Sequence, residues 1–193
     1  NGGNSGDGSY ERLAEFKARF LNDFIKGNEV ESAVELGCGD GNQLSLVNYP
    51  SYVGLDISPT VIEHCRDKFR DDSTKAFEVY SPGEQSQSRR LRSDTAMSLD
   101  VIYHLVENSV YKQYLCDLFR LADRRVVIYS TNFNKAEATH VVHRKFTDDV
   151  AENFTEWELT DRHGNPFPGV KVQESDASFY IYRRRQETIQ ERA

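Results

Sequence analysis

The stretch from Val34 to Gly41, Val-Glu-Leu-Gly-Cys-Gly-Asp-Gly, decides the fold. A short apolar strand runs into a turn with glycine at every second position, and glycine permits positive φ and close approach of the backbone to a ligand. A second apolar run, Tyr52–Asp56, ends in a carboxylate fifteen residues after Gly41. A carboxylate at that place can accept both hydrogen bonds from a ribose diol. The pattern therefore predicts a nucleoside-binding site at the carboxyl ends of parallel strands.

Strands and helices alternate on both sides of this stretch. Predicted strands are Ser32–Leu36, Tyr52–Asp56, Ala76–Tyr80, Thr95–Tyr103, Arg125–Ser130, Trp157–Thr160 and Phe179–Tyr182. Predicted helices are Tyr10 to Gly27, Asn42–Val47, one capped by Ser58, one through Tyr111 and Phe119, and Thr147–Phe154. Polar residues 81–93 are expected to form an exposed loop. The alternation predicts an α/β fold in three layers, with a doubly wound, mostly parallel seven-stranded sheet and an antiparallel terminal hairpin.

Length and charge narrow the class of protein. With 193 residues, the chain is expected to form one domain over residues 10–193, preceded by a flexible Gly/Ser/Asn-rich segment at residues 1–9. The net charge of −7 disfavours nucleic acid as a partner, because phosphate neutralisation dominates such binding. The sequence contains no apolar run of about 18 residues, so no membrane span is expected.

The three cysteines, Cys38, Cys65 and Cys116, are far apart and lack CxxC spacing. Neither a disulfide framework nor a metal site is expected from them. This cysteine usage is typical of a reduced, cytoplasmic protein.

Two classes of cofactor use a glycine turn of this kind. A nicotinamide dinucleotide requires G-x-G-x-x-G, whereas here the third glycine comes one residue early and Asn42 follows it. Glu35 also stands two residues before Gly37, where an anion would repel a pyrophosphate. Glu35 instead suits a cationic cofactor with an amino-acid tail.

With these residues the sequence resembles the class I S-adenosylmethionine-dependent methyltransferases, which have a Rossmann-like fold. The family pattern E-x-G-x-G-x-G is complete at Glu35, Gly37, Gly39 and Gly41. The resemblance continues through Tyr52–Ser58 and Ser98–Leu105, and it spans roughly residues 30–132. It implies S-adenosylmethionine as cofactor and S-adenosylhomocysteine as product.

The resemblance also implies the residues that bind the cofactor. Gly37, Cys38 and Gly39 should pass under its methionine part, Asp56 should hold the ribose, and Ile57 should pack on adenine. The full set carried over is Glu35, Gly37, Cys38, Gly39, Asp56, Ile57, Ser81, Ser98 and Leu99. Ser98 and Leu99 are expected near the sulfonium. The family often has an acidic or amide residue after strand three, and here Ser81 or a backbone carbonyl is expected to replace it.

Methyl transfer is an in-line displacement, and an oxygen nucleophile usually also needs a base. The candidate catalytic residues are Asp100 and His104, after strand four, and His143, after strand five. Each has a structural alternative: Asp100 could cap a helix, His104 could be a packed histidine, and His143 could lie on an exposed segment. No metal is expected at His140 and His143, because no matching ligand set is evident.

The expected activity is O-methylation of a small molecule or a sugar, including a glycan end. The segments His140–Phe146 and Ser178–Tyr182 resemble small bacterial methyltransferases of glycan or secondary-metabolite pathways. The alternatives are a protein or RNA methyltransferase, a nicotinamide-dependent enzyme, and a non-catalytic module that binds S-adenosylmethionine. Fold alone does not choose among them.

Overall fold

The computed structural model describes residues 11–138, 140–169 and 175–186, so the predicted flexible segment at residues 1–9 lies outside the described residues. The helices are α1 (Glu11–Gly27), α2 (Pro59–Lys68), α3 (Gln85–Arg90), α4 (Asn108–Leu121) and α5 (Phe146–Asn153). The strands are β1 (Ala33–Leu36), β2 (Tyr52–Asp56), β3 (Lys75–Val79), β4 (Ser93–Leu99), β5 (Ala122–Ser130), β6 (Lys135–Ala138), β7 (Val141–His143), β8 (Trp157–Gly164) and β9 (Ser178–Arg184).

Seven strands form one sheet in the order β3-β2-β1-β4-β5-β9-β8. The first five strands are parallel, and β9 pairs antiparallel with both β5 and β8. The predicted sheet with its terminal hairpin is therefore confirmed. Because β1 lies between β2 and β4, the chain leaves β1 and β4 in opposite directions, which opens a crevice at their carboxyl ends.

Helices cover both faces of the sheet, which gives the three predicted layers. On one face, Leu21 of α1 and Ile62 of α2 pack with Met97 of β4. On the other face, Leu118 of α4 and Val150 of α5 pack with strand residues of opposite parity, such as Ala96. The alternation of side chains along each strand thus decides which layer a strand residue faces.

The predicted helix over Asn42–Val47 is wrong, because this segment contains only a single 3-10 turn at Leu44–Leu46. Polar side chains here bond the local backbone: Asp40 accepts from the Asn42 N–H at 3.0 Å, and the Ser45 hydroxyl donates to the Gly41 carbonyl at 3.0 Å. Such bonds compete with a regular helix.

The predicted loop over residues 81–93 is also wrong in part, because it contains α3. Gln87 is buried there, where it donates to the Val79 carbonyl at 2.8 Å and accepts from the Ser81 N–H at 3.0 Å. The small antiparallel pair β6–β7 is a further element that the sequence pattern did not predict.

Candidate active site

A cavity of about 430 Å³ opens at the carboxyl ends of β1, β2 and β4. Its wall combines the glycine turn, the residues after β2 and β4, and Lys17 of α1. The cavity thus lies at the switch point of the sheet, where open α/β folds bind their ligands. Of the predicted site residues, Glu35, Gly37, Cys38, Gly39, Asp56, Ile57, Leu99, Asp100 and His104 line it.

The glycine turn is held against β2 by its backbone. The N–H groups of Gly37 and Cys38 both donate to the Leu55 carbonyl, at 2.7 and 3.0 Å. Gly37 has φ +87°, and a Cβ there would lie 2.6 Å from Cγ2 of Val101. Glycine is therefore required at this position by both its conformation and its close contact.

Asp56 fixes the next part of the turn. Its Oδ2 accepts from the Gly39 N–H at 3.2 Å, and its Oδ1 accepts from the Ser58 N–H at 2.9 Å. Each carboxylate oxygen has a further lone pair for a ligand hydroxyl. The carboxylate is thus oriented at the cavity wall before any ligand arrives.

Glu35 is 3% exposed and accepts a hydrogen bond from the Tyr52 hydroxyl at 2.7 Å. Burial raises the pKa of this carboxyl to about 7, although the Tyr52 bond and Lys17 oppose the shift. A cationic ligand group near Glu35 would favour its ionised form.

Asp100 follows β4 with φ +60°, a backbone conformation that is uncommon for a residue other than glycine. Its Oδ2 accepts from Lys17 Nζ at 2.6 Å, and its Oδ1 accepts from the Tyr103 hydroxyl at 2.8 Å. Both oxygens of the carboxylate are therefore engaged by neighbouring side chains.

The structure brings His104 to the cavity but leaves His143 outside its lining. His104 is exposed, and partial desolvation lowers the pKa of its imidazole. The neutral ring can accept a proton at neutral pH. His143 is buried, with its Nδ1 2.7 Å from the Thr131 hydroxyl and its ring 4.7 Å from that of Phe133.

Two further predicted residues lie outside the cavity lining. Ser98 is fully buried, and its hydroxyl is 2.7 Å from the Tyr114 hydroxyl on the α4 side of the sheet. Leu99, its neighbour, lines the cavity, and so does Tyr114 itself. Ser81 is replaced in the lining by Tyr80 and Pro82.

Sequence reasoning did not single out eight residues of the lining, which include Lys17 and Gln43. Lys17 interrupts the buried face of α1, four residues after Leu13 and four before Leu21. A charge at that spacing was a readable signal, because helix residues four apart share one face. Gln43 carried no comparable signal in the sequence.

In the described part of the chain, no group of three or more His, Cys, Asp or Glu side chains is arranged to hold a metal ion. None of the helices in that part is both long and apolar enough to cross a bilayer.

Comparisons with known proteins agree with this geometry. A family model described as a methyltransferase domain matches residues 34–129, which span β1 to β5. No curated protein matches the sequence significantly.

Solved structures share the fold at low sequence identity. Magnesium protoporphyrin IX methyltransferase from Synechocystis PCC 6803, with bound S-adenosylhomocysteine, is 14% identical with a TM-score of 0.65, over 88% of this chain and 83% of its own. The N-methyltransferase NodS from Bradyrhizobium japonicum WM9 is 14% identical with a TM-score of 0.68, over 91% and 96%. The small RNA methyltransferase HEN1 is 18% identical with a TM-score of 0.65, over 95% and 27%. At these identities the likeness establishes the fold and does not identify an acceptor.

Proposed function

Because the chain belongs to the class I S-adenosylmethionine-dependent methyltransferases, we propose that it methylates a hydroxyl group of a small molecule or of a sugar, including the end of a glycan. The observation that carries the proposal is the position of His104 on the wall of the cavity that the glycine turn also lines, where partial desolvation lowers the pKa of its imidazole. An oxygen nucleophile needs such a proton acceptor. Family membership sets aside the nicotinamide-dependent alternative.

The residues of the cavity fit the cofactor. Gly37 and Gly39 line the cavity at positive φ and carry no side chain, so a ligand can approach the backbone of the turn. Asp56 presents an oriented carboxylate for the ribose hydroxyls. Ile57 is 70% exposed at the cavity wall, where an adenine ring would cover its apolar surface.

When bound, the cofactor supplies a methyl group already activated on a sulfonium sulfur. The chain then has two tasks, alignment and proton removal. Leu99, the last residue of β4, and Val101, two residues further on, form an apolar part of the wall. Alignment of the acceptor oxygen behind the methyl carbon supplies much of the rate, because the bound geometry replaces a random encounter.

His104 takes the proton from the acceptor hydroxyl in this proposal. Its lowered pKa keeps the imidazole neutral near pH 7, which a general base requires. Asp100 is less suited to that task, because Lys17 and Tyr103 already engage its two oxygens. Asp100 therefore serves as a positioning residue, and His143 remains a weaker candidate because its ring lies outside the cavity lining.

The test compares three pools of acceptors with methyl-labelled S-adenosylmethionine: hydroxylated small molecules, RNA, and protein. The first pool contains nucleotide-sugars, methyl glycosides and phenols. We expect label in the first pool. We also expect kcat for the labelled acceptor to fall by about 10²- to 10⁴-fold in His104→Gln, the range typical of a lost general base.

The matched control is His64→Gln, which changes an exposed histidine on α2 away from the cavity. Its kcat should equal that of the wild type. Label confined to RNA or protein would overturn the proposed acceptor class. An unchanged kcat in His104→Gln would remove the proposed base, and absence of label from all three pools would favour the non-catalytic alternative.

A further inference from the structure

Lys17 is a buried lysine with unused hydrogen-bonding capacity. Its side chain is 1% exposed, and its Nζ donates to Asp100 Oδ2 at 2.6 Å and lies 5.4 Å from the centre of the Tyr129 ring. An ammonium group has three N–H donors, and among the described residues Asp100 takes one of them. Burying such a group is costly unless its donors are satisfied, so an acceptor within the cavity is expected.

Gln43 presents the complementary feature. It is 6% exposed, lines the same cavity, and donates through Nε2 to the Ala14 carbonyl at 3.2 Å. That bond fixes the amide orientation, because Oε1 in the same place would face another acceptor. Oε1 is buried and accepts no hydrogen bond from the described part of the chain. A buried acceptor of this kind indicates a donor from elsewhere.

The two features belong to one end of the cavity. Gln43 is bonded to Ala14, and Lys17 lies three residues after Ala14 on the buried face of α1, so Gln43 packs beside the part of the helix that carries Lys17. Glu35 lies close enough to Lys17 for their charges to interact. Spare donors on a cation and a spare acceptor in the same lining complement a ligand that carries both a carboxylate and an ammonium.

We propose that Lys17 binds the carboxylate, and Gln43 the ammonium, of the methionine part of S-adenosylmethionine. Asp100 then holds the Lys17 ammonium at the cavity wall through their ion pair. Helix α1 thereby distinguishes cofactors that have an intact amino-acid tail from those that lack it. The inference rests on the cofactor of the family and not on the proposed acceptor.

The test is a calorimetric titration of the full chain with three ligands that retain successively fewer charged groups of the amino-acid tail. S-adenosylhomocysteine has both groups, its decarboxylated analogue has only the ammonium, and 5′-methylthioadenosine has neither. Lys17→Met should weaken binding of S-adenosylhomocysteine on the order of 10- to 100-fold, as expected for a lost charged hydrogen bond. Its affinities for the two ligands without a carboxylate should stay within about threefold of the wild type, and Lys17→Arg should recover part of the loss.

Gln43→Leu should weaken both ligands that carry an ammonium, by about 5- to 20-fold, and leave 5′-methylthioadenosine unchanged. Lys26→Met, at an exposed lysine of the same helix, is the matched control and should behave as wild type for all three ligands. Thermal unfolding checks that each variant is folded. If Lys17→Met does not fold, Gln43→Leu alone tests the proposal.

Equal weakening of all three ligands in both variants would show a merely structural role and overturn the proposal. Unchanged affinity for S-adenosylhomocysteine in both variants would do the same, as would a wild type that binds 5′-methylthioadenosine as tightly. A failure of the acceptor proposal can be told apart from a failure of this one. It would change which pool of acceptors is methylated and leave the ratios of variant to wild-type affinity for the three ligands unchanged.

Discussion

The glycine-turn end of the cavity and its His104 rim are held in place in different ways. At the glycine turn, backbone N–H groups bond to the β2 carbonyl of Leu55 and to the Asp56 carboxylate. At the rim, a long side chain joins separate segments: Arg144 donates to the carbonyls of Leu105 and Val106 at 2.7 and 2.8 Å. The sheet itself therefore presents the proposed cofactor site, whereas connecting segments support the rim, as is common for variable specificity regions.

This comparison predicts that substitutions at the glycine turn impair cofactor binding, whereas substitutions at the rim leave it intact. The largest effect is expected for Asp56→Ala. It removes the two oxygens proposed to accept from the ribose hydroxyls and leaves the N–H of Gly39 without this acceptor. Binding of S-adenosylhomocysteine should weaken by about 100-fold or more in calorimetry. Asp71→Ala, at an exposed carboxylate beyond α2, is the control. An Asp56→Ala affinity within threefold of wild type would remove the ribose assignment.

Gly37→Ala should have the next largest effect, on stability as well as binding. The new Cβ would lie 2.6 Å from Val101 Cγ2 at φ +87°, so both the contact and the conformation are unfavourable. We expect the free energy of unfolding in urea to fall by about 1–3 kcal/mol. Because Val101→Ala removes the clash but not the positive φ, the double variant should recover only part of the loss. Full recovery would show that conformation contributes nothing at this position.

A pH dependence should follow from Glu35, whose pKa burial raises to about 7. A nearby cationic cofactor group favours the carboxylate, so binding releases a proton below pH 7. Affinity for S-adenosylhomocysteine should therefore rise with pH, by up to about tenfold per unit, and level off above pH 7. Glu35→Gln should flatten this dependence, and a profile equally steep in that variant would assign it to another group.

Without ligand, the same pKa shift makes the free energy of unfolding fall with pH, whereas the ligand affinity rises with pH. The folded protein keeps a proton on Glu35 that the unfolded chain loses near its ordinary pKa of 4.5. The free energy of unfolding should thus decrease as pH rises from about 4.5 to 7, relative to Glu35→Gln, and remain constant above that range. The comparison requires urea denaturation of both proteins at several pH values. A difference that grows above pH 7 would contradict it.

The smallest effect on cofactor binding is expected at the rim. Arg144→Met removes hydrogen bonds to the segment before α4. It should lower the free energy of unfolding by about 1 kcal/mol. Affinity for S-adenosylhomocysteine should stay within about twofold. A tenfold loss of affinity would show that the rim also shapes the cofactor site and would break the comparison.

The sequence predicted the glycine-turn end because its signals are local. Glu35, Gly37 and Asp56 can be placed from an apolar run, the three glycines that follow it, and a second apolar run that ends in a carboxylate. Other features depend on tertiary contacts that no short window contains. Gln43 gains its place from α1, and α3 is stabilised by burying Gln87 although its sequence is polar.

The direction in which each strand residue points was also hard to predict from the sequence. Ser98 and Leu99 both lie at the end of β4, and their side chains point to opposite faces of the sheet. The family pattern does not show to which face of the sheet each side chain points, so both residues were predicted near the sulfonium. The register of β4 places Leu99 in the lining and turns Ser98 toward Tyr114.

The most direct test of this division of the cavity is a crystal structure of the complex with S-adenosylhomocysteine. The account predicts ribose hydroxyls within hydrogen-bond distance of Asp56, the amino-acid tail between Lys17 and Gln43, and the sulfur facing the His104 rim. A ligand bound with its adenine over Glu35, or with its sulfur turned away from His104, would contradict it.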